Sequence, residues 1–178
     1  MRSPLAFLPS PHRKRLFLTL LAGTLILAAV FQVINAPLQT APAPAGILSL
    51  QVAWTPEKAQ TILDSWNASA RLYAAFGLGI DYLFMALYGL TLALAALLAA
   101  GRHPGWFARL APWAGWGALL AAVCDGAENA GQFLQLFSGR VQLAPLVGSL
   151  ASLKFACLAS AILYGLAGWL WPGERQNH

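Results

Sequence analysis

Long hydrophobic runs alternate with short polar segments along this chain, and four of the runs are long enough for helices that cross a membrane. They occupy about residues 16–34, 72–100, 113–137 and 145–171. About 20 residues of helix, rising 1.5 Å each, cross a hydrocarbon core of roughly 30 Å. Proline, glycine or charged residues bound each run, as expected at the ends of spanning segments. The pattern predicts an all-α, integral membrane four-helix bundle that forms one domain over residues 1–178.

The connection between the first two runs, residues 36–71, is the only long one, and its second half has helical periodicity. Its start is marked by Thr as N-cap, Pro at the first helical position and Glu in the first turn, at Thr55, Pro56 and Glu57. The apolar residues after it keep helical spacing: Ala59, Ile62, Leu63, Trp66 and Ala70. We expect an extracytoplasmic amphipathic helix that either lies on the outer leaflet or caps the bundle. The proline- and alanine-rich residues 40–45 are expected to be extended.

Composition and charge agree with a membrane protein. The chain is 58% hydrophobic and 10% charged, whereas a soluble domain has about 25% charged residues. If the N-terminus is cytoplasmic, seven basic residues fall on the inner side (Arg2, Arg13, Lys14, Arg15, Arg102, Arg109 and Arg175) and three on the outer side (Lys58, Arg71 and Arg140). The positive-inside rule therefore predicts a bacterial inner-membrane protein with both termini in the cytoplasm.

Two further expectations follow from the same residues. The first run is expected to stay as an uncleaved anchor, because the possible signal-peptidase site Ala43-Pro44-Ala45 lies well beyond it; a cleaved signal peptide is the alternative. Nucleic acid is not an expected partner, because the basic residues gather at the ends of the runs and do not form a patch interleaved with aromatic residues.

Four ionisable residues interrupt three of the hydrophobic runs, at Asp81, Asp125, Glu128 and Lys154. Counted inward from the outer ends of the runs, Asp81, Glu128 and Lys154 lie at depths of roughly 15, 16 and 14 Å, and Asp125 about one turn deeper. A charge in hydrocarbon is unfavourable, so an ionisable residue at this depth is a candidate functional residue. We expect these four side chains to turn toward one another.

Neighbouring polar residues extend this predicted site. Asp125, Glu128 and Asn129 have the spacing of one helix face, which Gln132 continues toward the outer side, while Tyr88 shares a face with Asp81. Burial and mutual repulsion both favour the protonated form of an acid, so at least one acid is expected to hold a proton at neutral pH.

One hypothesis is that the site binds or transforms a small amphiphile or a membrane lipid by acid–base chemistry. Asp125 and Glu128 would exchange a proton, Asp81 would orient the ligand and Lys154 would neutralise developing negative charge. Tyr88, Asn129 and Gln132 would bind the ligand. No cofactor or metal is expected, because the three histidines (His12, His103 and His178) lie in tails or loops and no nucleotide-binding loop is present.

Two other hypotheses stay open. The cluster could fix helix register in a structural or assembly subunit of a membrane complex, since buried polar networks also do this without chemistry. It could also serve proton or cation passage, for which four spans without a clear inverted repeat would need a homo-oligomer. Whether the protein is an enzyme is therefore undecided at this point.

The order of the polar motifs resembles that of a group of small bacterial four-span membrane proteins. The motifs are Asp81-Tyr82-x-Phe84 with Tyr88, then Asp125-x-x-Glu128-Asn129, then Lys154. The resemblance covers about residues 46–170 and implies the four-span fold. It implies no activity.

Overall fold

The computed structural model describes residues 1–103 and 105–171, and every regular element in that part of the chain is a helix. There are six α-helices: α1 (Ser10–Asn35), α2 (Ile47–Gln51), α3 (Pro56–Ser65), α4 (Ala68–Ala100), α5 (Trp106–Ser138) and α6 (Ala144–Leu170). Short 3-10 turns follow α1 and precede α6, at Ala36–Leu38 and Val141–Leu143. The predicted cytoplasmic Arg175 and His178 lie outside the described residues.

The prediction of an all-helical chain with four long apolar helices is confirmed for the described residues. Each of the segments Ser10–Leu38, Ala68–Ala100, Trp106–Ser138 and Val141–Leu170 is long and apolar enough to cross a membrane. The third predicted run, from about residue 113 to 137, lies inside α5, which begins at Trp106 and contains Pro112. Pro112 is the seventh residue of α5, so it removes one interior backbone hydrogen bond without ending the helix.

The chain divides into two compact units, which we name the loop unit and the terminal unit. The loop unit comprises residues 25–85 and 123–154, and the terminal unit comprises residues 1–24, 86–122 and, among the described residues, 155–171. Each of the four long helices contributes a segment to both units.

The loop unit has an apolar core built around α3. The N-cap of α3 is confirmed, because the Thr55 hydroxyl accepts a hydrogen bond from the backbone N–H of Lys58 at 3.3 Å. The apolar face predicted for this helix is buried against the ends of α4 and α5 and the turn before α6, in a cluster that includes Ala59, Ile62, Leu63, Trp66, Ala70, Ala74, Leu78, Leu136 and Val141. The Trp66 indole N–H donates to the carbonyl of Leu38 at 2.8 Å. The apolar face of α3 was expected either to lie on the outer leaflet or to cap the bundle. In the structure it packs on protein.

The long connection also contains a short helix for which no prediction was made. The apolar stretch after the proline-rich residues forms α2, Ile47–Gln51. Its first backbone N–H, that of Ile47, donates to the side-chain oxygen of Asn35 at 2.9 Å. This hydrogen bond connects the end of α1 to the start of α2. The two residues are 12 positions apart, so local periodicity could not predict the contact.

The terminal unit is held by aromatic residues and by an ordered N-terminal segment. The ring of Phe107 stacks on Tyr164 at 4.4 Å between centroids, and the Tyr164 hydroxyl donates to the Phe107 carbonyl at 2.9 Å. The Arg13 guanidinium donates to the carbonyls of Ala6 and Leu8, each at 2.9 Å, which folds residues 6–8 back along the start of α1.

Close packing of α5 against α6 in the loop unit gives a first prediction. A Cβ added at Gly131 would lie 2.7 Å from Cγ2 of Val147, a fully buried side chain with little freedom to move. Gly131→Ala is expected to lower the free energy of unfolding by about 1–3 kcal/mol, measured by chemical denaturation in detergent. The control is Gly79→Ala in α4 of the same unit, where an added Cβ meets nothing within 4 Å. It should raise the stability by up to about 1 kcal/mol; a loss as large as that at Gly131 would contradict the packing argument.

Candidate functional site

One face of α5 carries a row of buried polar side chains inside the loop unit. Its members are Asp125, Glu128, Asn129, Gln132 and Gln135, which repeat at helical spacing and are each at most 3% exposed. The row extends over the eleven residues 125–135, or about 15 Å of helix. Such a row is unusual in a buried position, because each polar group has to find a partner when it leaves water.

Lys154 of α6 forms two ion pairs with this face. Its Nζ lies 2.9 Å from Oδ1 of Asp125 and 2.7 Å from Oε2 of Glu128. All three side chains are buried, at 5% exposure or less. A buried charge is tolerated only when it is paired and hydrogen-bonded, so the lysine and the two carboxyl groups depend on one another.

Two carboxyl groups also fix the orientation of two amides. The Nδ2 of Asn129 donates to Oδ2 of Asp81 on α4 at 2.7 Å, and the Nε2 of Gln132 donates to Oε1 of Glu128 at 2.8 Å. A carboxylate accepts hydrogen bonds, so each amide turns its NH2 group toward its acid. The carbonyl oxygens of Asn129 and Gln132 are thereby left as acceptors.

Several atoms of these buried amides have no hydrogen-bond partner among the described residues. They are Oδ1 of Asn129, Oε1 of Gln132, and both Oε1 and Nε2 of Gln135. These three residues are at most 1% exposed. A buried polar atom without a partner destabilises a protein by about 1–3 kcal/mol, so a row of them needs a physical explanation.

The N-terminal half of α4 approaches this region closely at Gly126. The hydroxyl of Tyr82 donates to the Gly126 carbonyl at 3.2 Å, and a Cβ at Gly126 would lie 3.3 Å from the sulfur of Met85. The glycine therefore lets α4 and α5 come together beside Asp125. This contact positions the helix that carries Asp81.

The structure brings most of the predicted site residues together. Asp81, Asp125, Glu128, Asn129, Gln132 and Lys154 are joined in the loop unit by the bonds given above. Tyr88 is buried in the terminal unit, and its predicted role as a ligand-binding residue stays a prediction. In the part of the chain that the structure describes, no three His, Cys, Asp or Glu side chains are placed to hold a metal ion. The catalytic and binding roles of these residues stay predictions.

Two residues were missed in the list of site residues. Gln135 follows Gln132 by three positions, so the helical spacing could have identified it as the next member of the row. Gln51 of α2 is also buried, at 6% exposure, and its Oε1 has no partner among the described residues. No signal in the sequence pointed to Gln51, because α2 itself was not expected.

The arrangement combines a shared acid–base group with oriented acceptors. Two carboxyl groups joined by one ammonium can pass a proton between them, and the amides beside them offer several acceptors and one uncommitted donor group. No protein-family model, curated protein or solved structure matches this chain.

Proposed function

We propose that the chain is a membrane protein whose four long helices cross the bilayer. The proposal is supported by the many large apolar side chains that these helices leave exposed, such as Leu25, Phe76, Val123 and Leu163. Contiguous apolar surface of this kind is unfavourable in water and favourable against lipid. The distribution of basic residues supports a bacterial inner membrane, with both termini cytoplasmic and α3 on the outer side.

In this orientation the polar row of α5 extends from the middle of the membrane toward the outer side. We propose that it binds a small amphiphile or membrane lipid. The single observation that carries the proposal is the row of buried amide atoms without partners on Asn129, Gln132 and Gln135. A network that only locks helices together satisfies its own groups, because a half-satisfied network is worse than an apolar core. A binding site keeps unpaired groups for its ligand.

The chemistry proposed for this site is proton exchange. Asp125 and Glu128 both contact the Lys154 ammonium, so a proton bound to one acid can be released while the lysine holds the other as a carboxylate. A ligand bound along the amides would place its polar group next to this pair. Asp81 orients the ligand through Asn129.

Mass spectrometry of the protein extracted in native lipid particles tests this proposal. We expect a non-covalent small molecule to remain bound to the wild-type protein and to be lost, or reduced about tenfold or more, in Gln135→Met, because the ligand loses a buried hydrogen bond. The matched control is Gln60→Met. Gln60 lies on the exposed face of α3, where its amide donates to Asp64. Equal retention of the molecule in wild-type and Gln135→Met proteins would contradict the proposed site.

The same spectra test an assembly role, which one observation favours. Three small residues at a spacing of four on α6, Ser152, Ala156 and Ser160, are exposed. Small residues at this spacing let membrane helices approach closely, so they suit a helix of another subunit. A stoichiometric protein partner or a second copy, retained in the absence of a small molecule, would support this second function over the first.

A further inference from the structure

We infer that the ligand of the α5 polar row carries a primary ammonium group. The inference rests on the proposed function, because it names the chemical class that the same site recognises. It depends on two independent features of the loop unit: the excess of acidic over basic side chains in the cluster, and the excess of acceptors over donors among the amide atoms without partners.

The first feature is charge. Two of the three carboxyl groups of the cluster, on Asp125 and Glu128, pair with one ammonium, that of Lys154, and the third, on Asp81, accepts a hydrogen bond from the Asn129 amide. The other basic side chains of the loop unit do not balance the excess of carboxyl groups in the cluster. Lys58 and Arg140 are exposed, and the Arg71 guanidinium donates to the carbonyls of Leu63 and Trp66. A cationic ligand is therefore favoured over a neutral or anionic one.

The second feature is the balance of acceptors and donors among the amide atoms that have no hydrogen-bond partner. The amide atoms of the row without partners are three carbonyl oxygens, on Asn129, Gln132 and Gln135, and one NH2 group. The two oxygens nearest the acids cannot be exchanged for donors by rotating the amide, because the NH2 groups of Asn129 and Gln132 are bound to Asp81 and Glu128. The site therefore requires donors from its ligand.

An ammonium group matches these requirements in number as well as in charge. It has three N–H donors, and the site offers three acceptors: the carbonyl oxygens of Asn129 and Gln132, whose residues share one face of α5, and the carboxylate of Asp81, which is bonded to Asn129. Gln135, one turn farther along the helix, has a donor and an acceptor for the next polar group of the ligand. Asn129 and Gln135 are about 9 Å apart along the helix, a spread that suits an extended headgroup better than a single metal ion.

Two binding measurements on the wild-type protein test the inference directly. The protein is reconstituted in nanodiscs of phosphatidylcholine, and the affinities of n-octylammonium and n-octanol are compared by thermal shift and by equilibrium titration. The two probes share the apolar tail and differ in charge and donor number. We expect octylammonium to bind at least about tenfold more tightly, as charge-assisted hydrogen bonds do relative to neutral ones. Equal affinities, tighter binding of octanol, or no binding of octylammonium would overturn the inference.

A variant pair tests the role of Asp81 in the same assay. Asp81→Asn keeps the shape and removes the charge, so it should abolish the preference for octylammonium over octanol. Asp64→Asn, at an exposed acid of α3, is the matched control and should keep the wild-type preference. An unchanged preference in Asp81→Asn would overturn the inference.

Competition separates the two sources of such a headgroup. Displacement of octylammonium by phosphatidylethanolamine in the nanodisc identifies a lipid source, and displacement by ethanolamine in the buffer identifies a soluble amine. Both results support the inference. A molecule without an amine retained in the mass spectra, together with no octylammonium preference, would overturn this inference and leave the proposed function standing.

Discussion

Lys154→Met is expected to lower the free energy of unfolding by about 3–5 kcal/mol, the largest effect of any single substitution in the cluster. The ammonium of Lys154 contacts both Asp125 and Glu128, at 2.9 and 2.7 Å. Methionine fills the same space but leaves two buried acids side by side. Unfolding by denaturant titration in detergent measures the effect, provided that the variant is extracted in folded form.

Two further variants show whether the effect comes from the unpaired acids. Lys58→Met removes an exposed lysine from α3 and should change stability by less than about 0.5 kcal/mol. Replacement of Lys154 together with Asp125 and Glu128 by apolar residues of similar volume should restore most of the stability, because no buried charge remains. A triple variant as unstable as Lys154→Met would contradict this account, and so would a Lys154→Met protein as stable as the wild type.

Gln135→Met is expected to raise the stability of the ligand-free protein by about 1–2 kcal/mol. The substitution keeps a similar volume and removes two amide atoms that are buried without partners among the described residues. The same variant should lose the bound molecule, so a single change would stabilise the protein and weaken its proposed function. Thermal and chemical denaturation after exhaustive delipidation measure the gain.

The control for this gain is Gln60→Met, whose amide donates to Asp64 at 2.8 Å on the exposed face of α3. It should be neutral or slightly destabilising, because an exposed amide is solvated before and after folding. A loss of stability in Gln135→Met comparable to that from breaking a buried hydrogen bond would mean that Gln135 has a structural partner. That result would favour the assembly hypothesis.

The sequence predicted the long helices well because their signal is one of composition and length. An uninterrupted apolar run identifies a spanning helix without knowledge of its neighbours. The N-cap at Thr55 was also predictable from the local sequence. The apolar face of α3, at Ala59, Ile62 and Leu63, is buried as predicted. The helix α5 extends beyond the third predicted run at its N-terminal end, because Pro112 lies inside the helix and does not end it.

The contacts of the candidate site were predictable only in part. Equal depth on antiparallel helices pointed to the pairing of Lys154 with Glu128, since depth follows from residue counting. Which amide turns toward which acid depends on rotamers and neighbours, so the Asp81–Asn129 bond and the unpaired carbonyl of Gln132 needed coordinates. Tyr88 was grouped with Asp81 because they share a helix face, and its role in the site stays a prediction.

A structure determined by electron cryomicroscopy in native lipid particles tests the central claim most directly. We expect density for a small molecule within hydrogen-bond distance of the carbonyl oxygens of Asn129 and Gln132 and of the Gln135 amide. Amides that pair with one another, or that are satisfied by ordered water alone while Lys154 keeps both of its ion pairs, would contradict it.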